Sequence, residues 1–342
     1  MYNAALQERR DAYRTCRKSV TCIDQQNQLP EIKLVRPELK GVYSQVLTDV
    51  LRRLDKGFES FFRRVKKGEK PGFPRFRATS RYRSFTYPQS GFAIKEGKLR
   101  LSKIGHVKIK LHRVIEGTVK GVTISQSSTG KWFACFLVEA SSSQFQSTVQ
   151  IVGIDMGLKN FATLSTGEVF ENPRFFREEA NKLAKAQRRL SKTRRGSWEH
   201  KRKRKVVVRV HERIVNRRKD FAHKLSRYIV SKFGIIVFEK LDIRRMLKHP
   251  NLAVSIADAA WSQVIQFVSY KAEYAGGQIL KVNPAGTSST THCCSVRVEI
   301  TIADRELHCP NCNSVVDRDF NAALNILSLG LQTFGVAKEA VL

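Results

Sequence analysis

The chain has 342 residues, with 62 Lys and Arg against 30 Asp and Glu, a formal net charge of +32. Such an excess predicts a polyanionic partner, with a soluble basic protein of the ribosomal type as the alternative. The hydrophobic content of 42% is sufficient for the cores of two or three domains. We expect no membrane helix, because no apolar run reaches roughly 18 residues, and no signal peptide. These features exclude a membrane protein and indicate a cytoplasmic, nucleoid-associated one.

Residues 1–80 are predicted to be mainly helical. Val46, Val50, Leu54 and Phe58 recur at helical spacing in a segment running from residue 37 to residue 64. The segment 66–77 (KKGEKPGFPRFR) then interleaves basic and aromatic residues. This composition suits a groove that holds a sugar-phosphate chain, and a solvated linker is the alternative. Its arginines Arg75 and Arg77 are candidate nucleic-acid contacts.

Residues 81–148 read as antiparallel sheet. Short alternating runs are separated by glycine-containing turns between residues 84 and 139, a pattern typical of a small β-barrel. A polar segment from 141 to 148 (SSSQFQST) then predicts a linker.

The remaining sequence predicts an α/β domain. Strands are expected at 151–155, 161–165, 168–170, 234–241 and 278–282, with helical sequence over 174–233 and 255–275 and from about residue 319. A strand meander followed by alternating helices and strands is the order of an RNase-H-like fold.

One helical segment is exceptionally basic. Between residues 188 and 219, fifteen Lys or Arg stand against two acids, while a separate apolar stripe remains for packing. Charge runs are often only solvated faces, but this imbalance would repel itself without a polyanion alongside, which favours contact with nucleic acid. The candidate contacts are Arg202, Arg204, Arg209, Arg213 and Arg217.

Three acids stand at the ends of regular elements. Asp155 and Glu239 each close an apolar strand, where a carboxylate is costly unless a cation meets it. Asp319 lies in the first turn of the last helix, on a face of small residues that allows close packing on a sheet. Asp317 is the natural N-cap of that helix. Either strand acid alone could be a cap or an ion-pair partner.

We expect Asp155, Glu239 and Asp319 to converge as a catalytic trio. Converging carboxylates repel one another unless hard cations neutralise them, and oxygen ligands suit Mg²⁺ or Mn²⁺. Two such ions about 4 Å apart would support in-line hydrolysis of a phosphodiester. The trio therefore predicts a Mg²⁺-dependent enzyme that cuts phosphodiester bonds.

Seven cysteines, four of them within residues 293–312, indicate metal ligation rather than a disulfide framework. Cys309 and Cys312 form one C-x-x-C pair, but Thr291 stands where a second pair would need cysteine. Cys294, Cys309 and Cys312 are predicted zinc ligands, with either Cys293 or His292 as the fourth. A complete structural zinc site and an incomplete one both remain open.

At these residues the chain resembles the TnpB/OrfB family of insertion-sequence proteins, compact relatives of type V CRISPR effectors. The resemblance covers most of the chain. It lies in the segments LTDVLRRLDKGFESFFRRVKKGEKPGFPRFR (47–77), RYRSFTY (81–87), VGIDMGLKNFATLSTG (152–167), FEKLDI (238–243), ADAAWSQVIQFVSYKAEYAGG (257–277), VNPAGTSST (282–290) and CPNC–DRDFNAALNI (309–326).

The resemblance implies a RuvC-type nuclease domain over 149–283 and 315–334, with Asp155, Glu239 and Asp319 as its acids. It implies a zinc-ribbon insertion at 284–314, a wedge-like barrel at 81–148 and a helical recognition region at 1–80. Family members use a guide RNA from the transposon end to cleave DNA beside a short adjacent motif. A guide RNA and target DNA are therefore the expected partners of this chain.

Two departures from the family pattern bear on activity. Family members usually begin with a β-strand before the YNAAL segment, so the first barrel strand is expected to be missing and activity impaired. Thr291 weakens the expected zinc site. The alternatives to a nuclease are a non-cleaving RNA-guided repressor, a truncated inactive relic and a strand-joining transposase.

Overall fold

The computed structural model describes residues 1–139, 150–301 and 304–333. Contacts between residues divide the chain into two compact units, Met1–Ser141 and Ser142–Leu342. Each unit has hydrophobic clusters of its own.

The first unit begins with four helices, α1 (Tyr2–Cys16), α2 (Cys22–Asn27), α3 (Leu29–Val35) and α4 (Ser44–Lys66). The helix predicted from residue 37 starts later, because Pro37–Gly41 forms a 3₁₀ turn that ends in extended backbone at Val42. Leu6, Leu51 and Leu54 are fully buried between α1 and α4. The predicted amphipathic pattern of α4 therefore does face a core.

Six strands follow in the first unit: β1 (Ser84–Tyr87), β2 (Phe92–Lys95), β3 (Lys98–Leu101), β4 (Gly105–Lys108), β5 (Thr118–Gln126) and β6 (Trp132–Glu139). They form two antiparallel three-stranded sheets, ordered β1-β5-β6 and β2-β3-β4. Tyr87, Leu99 and Val122 from the two sheets share one core. The antiparallel pairing agrees with the sequence, and closure into a barrel stays a prediction.

The second unit contains a five-stranded sheet made of β7 (Ile151–Asp155), β8 (Asn160–Leu164), β9 (Val169–Glu171), β10 (Ile235–Glu239) and β11 (Gln278–Val282). The strand order is β11-β10-β7-β8-β9. Strands β7, β8 and β9 pair antiparallel, whereas β10 pairs parallel with both β7 and β11.

The other elements of this unit are α5 (Phe175–Ser191), α6 (Trp198–Lys232), α7 (Ile243–Met246), α8 (Ala253–Ala259), α9 (Trp261–Tyr274), β12 (Glu306–His308), β13 (Val315–Asp317) and α10 (Arg318–Thr333). The predicted helices 174–233 and 255–275 are each split in two. Gly196 adopts φ 86° between α5 and α6, and Ala260 adopts φ 54° between α8 and α9. A right-handed helix cannot continue through either conformation.

Helices cover both faces of the sheet. Val152, Ile154, Ile236 and Phe238 point to the face packed by α6 and α9. Since side chains alternate along a strand, their neighbours point to the opposite face, where Val237 packs against Ile326 of α10. Odd-numbered residues of β7 and β10 thus face α10.

Candidate active site

Asp155 and Glu239 lie side by side at the ends of two paired parallel strands. In the register of β7 and β10, Ile154 is opposite Phe238, and the two acids are the next residues along each strand. Both are odd-numbered members of the alternating pattern, so both point toward α10. Each is partly buried.

Asp319 reaches the same edge of the sheet from the first turn of α10, where it is 8% exposed. Close helix–sheet packing brings it there. A methyl group added at Gly153 would overlap the carbonyl oxygen of Ala323, and one at Gly330 would lie 2.5 Å from Val237 Cγ2. A methyl group at Gly157 would lie 3.9 Å from Asp319 Oδ2, which places this carboxylate beside the turn that follows Asp155.

Asp317 has a different role from its neighbour. It is exposed, and its Oδ1 accepts a hydrogen bond from the backbone N–H of Phe320 at 3.0 Å. This is the N-cap arrangement expected for α10, which satisfies one of the helix's unpaired N–H groups.

The charges of the other two acids act on Asp155. Burial, followed by the negative charges of Glu239 and Asp319, raises the pKa of Asp155 from 3.8 to about 7. Arg318 and the backbone N–H of Met156 act in the opposite direction. The Arg318 guanidinium also lies 3.4 Å from Asp319 Oδ1. One arginine therefore offsets only part of the repulsion, and the donor set suits a hard divalent cation.

Thr287 is a site residue that the sequence did not single out. Its hydroxyl donates to Glu239 Oε1 at 2.5 Å, and only 3% of the residue is exposed. Burial raises the pKa of Glu239, and the Thr287 hydrogen bond lowers it. The signal available in the sequence was the position of Thr287 in the VNPAGTSST segment, directly after β11.

A second cluster suits a soft or borderline metal. The sulfur atoms of Cys293, Cys294, Cys309 and Cys312 all lie within 4.8 Å of one another. The fourth member of this cluster is Cys293 and not His292. The Nδ1 atom of His292 lies 3.5 Å from Ser328 Oγ. Buried Thr291 lies beside Cys309, with 3.8 Å between its hydroxyl oxygen and the sulfur.

The sulfurs differ in their affinity for protons. Hydrogen bonds led by the backbone N–H of Cys312 lower the pKa of Cys309 to about 6, and hydrogen bonds led by the Cys312 side chain raise the pKa of Cys294 to about 12. Four cysteine sulfurs that exchange hydrogen bonds at this distance could hold a metal ion, whose binding would displace their protons.

The predicted nucleic-acid contacts have different surroundings. Arg204 and Arg209 are exposed on α6, and Arg202 lies over the Trp198 ring at 5.1 Å. Arg213 and Arg217, by contrast, form ion pairs with Glu179 and Glu178 of α5, at 3.3 and 2.5 Å.

In the first unit, Arg75 is exposed and Arg77 stacks on the Tyr2 ring at 4.6 Å. Tyr2 belongs to α1 rather than to the basic–aromatic loop, so contact of this loop with nucleic acid stays a prediction.

A cationic cavity of about 300 Å³ opens beside the turn after β7. Lys159, Arg174, Arg177 and Arg305 contribute to its lining, together with Asp258. The charge of Asp258 is already engaged, since it accepts from Arg218 at 2.5 Å and from the backbone N–H of Phe176. The cavity therefore presents net positive charge beside the loop that follows β7.

Comparison with known proteins agrees with these features. A family profile described as "Probable transposase" (OrfB_IS605) matches residues 135–249, and a "Cas12f1-like, TNB domain" profile matches residues 261–326. A Streptomyces pristinaespiralis protein named "Putative RNA-guided DNA endonuclease" is 36% identical over 339 residues, which cover 97% of this chain and 83% of that protein. The chain belongs to the TnpB/OrfB family.

A second relative and a solved structure extend the comparison. The Escherichia coli K12 protein named "Putative RNA-guided DNA endonuclease InsQ" is 31% identical to this TnpB/OrfB chain over 85% of it and 76% of the relative. A cryo-EM structure of a Cas12f1–sgRNA–target DNA complex matches with a TM-score of 0.58 at 14% identity, over 95% of this chain and 79% of that one. The latter shows a shared mixed α/β fold.

Within residues 1–139, 150–301 and 304–333, every helix is too short or too polar to cross a lipid bilayer.

Proposed function

We propose that this TnpB/OrfB chain is an RNA-guided DNA endonuclease whose second unit is a RuvC-like, RNase-H-like nuclease domain. The strand order β11-β10-β7-β8-β9, with an antiparallel meander followed by two parallel strands, supports this fold. The names of the relatives support the reaction and the two nucleic-acid partners.

The observation that carries the proposal is the environment of Asp155. Burial and the negative charges of Glu239 and Asp319 make the ionised form of its carboxyl group unfavourable. Glu239 lies on the neighbouring strand β10, and Asp319 lies on α10. A structural acid in a sheet would normally be matched by a buried arginine or lysine. The Arg318 guanidinium lies 3.4 Å from Asp319 Oδ1 and offsets only part of the repulsion on Asp155, so the site fits added positive charge.

The trio would hold two Mg²⁺ ions, or Mn²⁺, which supply an activated water and stabilise the leaving 3′ oxygen during in-line displacement. Asp155 would contribute ligand oxygens beside Glu239 and Asp319, whose charges both act on it. Glu239 offers Oε2, since Oε1 accepts from Thr287. Asp319 approaches from the helix, held beside Arg318. The pairing of the strand ends and the close packing of α10 would fix these oxygens before substrate arrives.

The four cysteines would hold a structural Zn²⁺. Cys309 and Cys312 flank a tight turn that leads into β13 and α10, so a metal there would fix the strand that precedes Asp319. Since all four positions are occupied by protein sulfurs, the site offers no open ligand position for catalysis.

The exposed arginines of α6, the basic–aromatic loop with Arg75 and Arg77, and the cationic cavity are the proposed nucleic-acid contacts. They recognise phosphate and stacked bases rather than sequence, which suits a protein whose target is chosen by RNA–DNA base pairing. Arg213 and Arg217 are weaker candidates because Glu178 and Glu179 already neutralise them.

The test is cleavage of a matched target. The chain is expressed with its native flanking DNA, the bound RNA is sequenced, and a plasmid that carries the complementary target is incubated with the complex and Mg²⁺. We expect the wild type to cut and Asp319→Asn to be inactive. Asp317→Asn is the matched control, because asparagine also caps helices and lies only two residues away.

The same assay separates the alternatives. A repressor or relic would leave the plasmid intact with wild type and variant alike, and a transposase would yield joined rather than cut products. Equal cleavage by the wild type and Asp319→Asn would refute the proposed site.

A further inference from the structure

The loop between β11 and the cysteine cluster is fastened to the helix that carries Asp319. Asn325 of α10 donates both hydrogens of its side-chain amide to this loop, to the carbonyl oxygen of Thr287 at 2.9 Å and to that of Thr290 at 2.6 Å. One turn earlier, Asn321 donates to the Thr290 carbonyl oxygen at 2.8 Å and accepts from the backbone N–H of His292 at 2.8 Å.

Both amides lie wholly or partly inside the protein, and Asn325 is half-buried. Asn321 is fully buried, and each asparagine bridges two backbone groups of the same short loop. Buried side-chain amides that complete their hydrogen bonds define one conformation of the segment they hold. The loop position, and with it that of Thr287, is therefore set by α10.

Thr287 in turn holds the carboxylate of Glu239 by a hydrogen bond. Its hydroxyl has one proton and two oxygens within reach, Glu239 Oε1 at 2.5 Å and the Pro284 carbonyl oxygen at 3.1 Å. The shorter bond, to a carboxylate, is the stronger because its acceptor is charged. Glu239 Oε1 is thereby pinned, and Oε2 remains for another partner.

We propose that Thr287 is a positioning residue for the metal site, which orients Glu239 toward a cation and is itself held by Asn325 of α10. In this arrangement the helix that supplies Asp319 also fixes the carboxylate of Glu239, so a single element sets the geometry of two of the three acids. The inference rests on the proposed function, because it assumes that these acids bind divalent cations.

Residues that hydrogen-bond to a metal ligand affect metal binding in many proteins. A hydrogen bond to a ligating carboxylate orients it, and its loss typically lowers metal affinity or activity about 10- to 100-fold. The Thr287 hydroxyl is the group that performs this role for Glu239, and valine has nearly the same shape without the donor.

The test measures cation binding separately from cleavage. Mn²⁺ affinity is measured from the EPR signal of free Mn²⁺ with the purified chain, and single-turnover cleavage with the RNA-loaded complex. We expect Thr287→Val to lower both about 10- to 100-fold, and Thr287→Ser to restore both. The matched control is Thr290→Val, because Asn325 holds the backbone carbonyl of Thr290 rather than its hydroxyl.

Asn325→Ala tests the second half of the proposal. It should weaken Mn²⁺ binding in the same direction, and combining it with Thr287→Val should add little, because both changes act through Glu239. Melting temperature and zinc content, measured on each variant, identify any change that merely unfolds the loop.

Wild-type Mn²⁺ affinity in Thr287→Val would overturn the inference, as would a Thr287→Ser variant as defective as the valine. If the wild type binds Mn²⁺ in a Thr287-dependent way but cuts no DNA, the positioning role stands and the proposed nuclease function fails.

Discussion

Replacing Asp155 with asparagine should stabilise the metal-free protein at alkaline pH, even though it removes a proposed catalytic group. Burial and the neighbouring acids hold the pKa of Asp155 near 7 in the folded chain, against 3.8 ordinarily. A folded pKa above the unfolded one means that the contribution of Asp155 to stability is present below about pH 4 and lost as pH rises to about 7. Each pH unit corresponds to about 1.4 kcal/mol, so ionised Asp155 costs the metal-free fold about 4 kcal/mol at pH 8.

Urea unfolding in EDTA at pH 5 and pH 8 measures this difference. Asp155→Asn should exceed the wild type by about 4 kcal/mol at pH 8 and by about 1–2 kcal/mol at pH 5. Asp220→Asn is the control, because Asp220 is an exposed partner of Lys224 on α6, remote in sequence from the trio. Mg²⁺ should stabilise the wild type more than Asp155→Asn, since binding to the folded state alone raises its stability. An advantage of equal size at both pH values would refute the proposed repulsion.

Three further outcomes are expected. Gly330→Ala places a methyl group 2.5 Å from a sheet side chain and should lower the free energy of unfolding in urea by about 1–3 kcal/mol. Gly72→Ala is the control because the space around Gly72 is open, so it should lower this free energy less; equal effects would contradict the close packing of α10. Cys309→Ser should release zinc, as measured by mass spectrometry, and lower the melting temperature by about 4 °C or more, which corresponds to a loss of roughly 2 kcal/mol of folding stability. Unchanged zinc content would refute the proposed zinc site. The double variant Lys159→Ala, Arg177→Ala should weaken DNA binding, as measured by fluorescence anisotropy. A plot of log binding constant against log salt concentration should become less steep by about 0.9 for each phosphate that is no longer neutralised, and an unchanged slope would exclude the cavity as a phosphate-binding surface.

The placement of the acids could be predicted because it depends on local rules. The carboxylate that follows an apolar run marks the end of the strand. Because side chains alternate between the two faces of a sheet, the position of Asp155 and Glu239 in their strands decides toward which face they point. The small residues of α10 identified the helix face that packs on that sheet, where Gly153 and Gly330 leave room for it.

Other features depend on tertiary contacts that no local pattern contains. The breaks at Gly196 and Ala260 require left-handed backbone conformations, and alanine gives little sign of one in the sequence. Arg213 and Arg217 looked like free cations because Glu178 and Glu179 lie on another helix.

Thr287 escaped prediction for a related reason. A threonine in a loop is common, and its value comes from a hydrogen bond with Glu239, 48 positions away in the sequence. The asparagines that hold this loop read as ordinary polar positions of a helix until their carbonyl partners are known.

The most direct measurement of the proposed metal chemistry is the anomalous diffraction of Mn²⁺-soaked crystals of the wild-type chain. The proposed site predicts two peaks about 4 Å apart, both within bonding distance of oxygens from Asp155, Glu239 and Asp319. Mn²⁺ bound elsewhere, or a cleft that stays free of anomalous signal at saturating Mn²⁺ with substrate present, would contradict it.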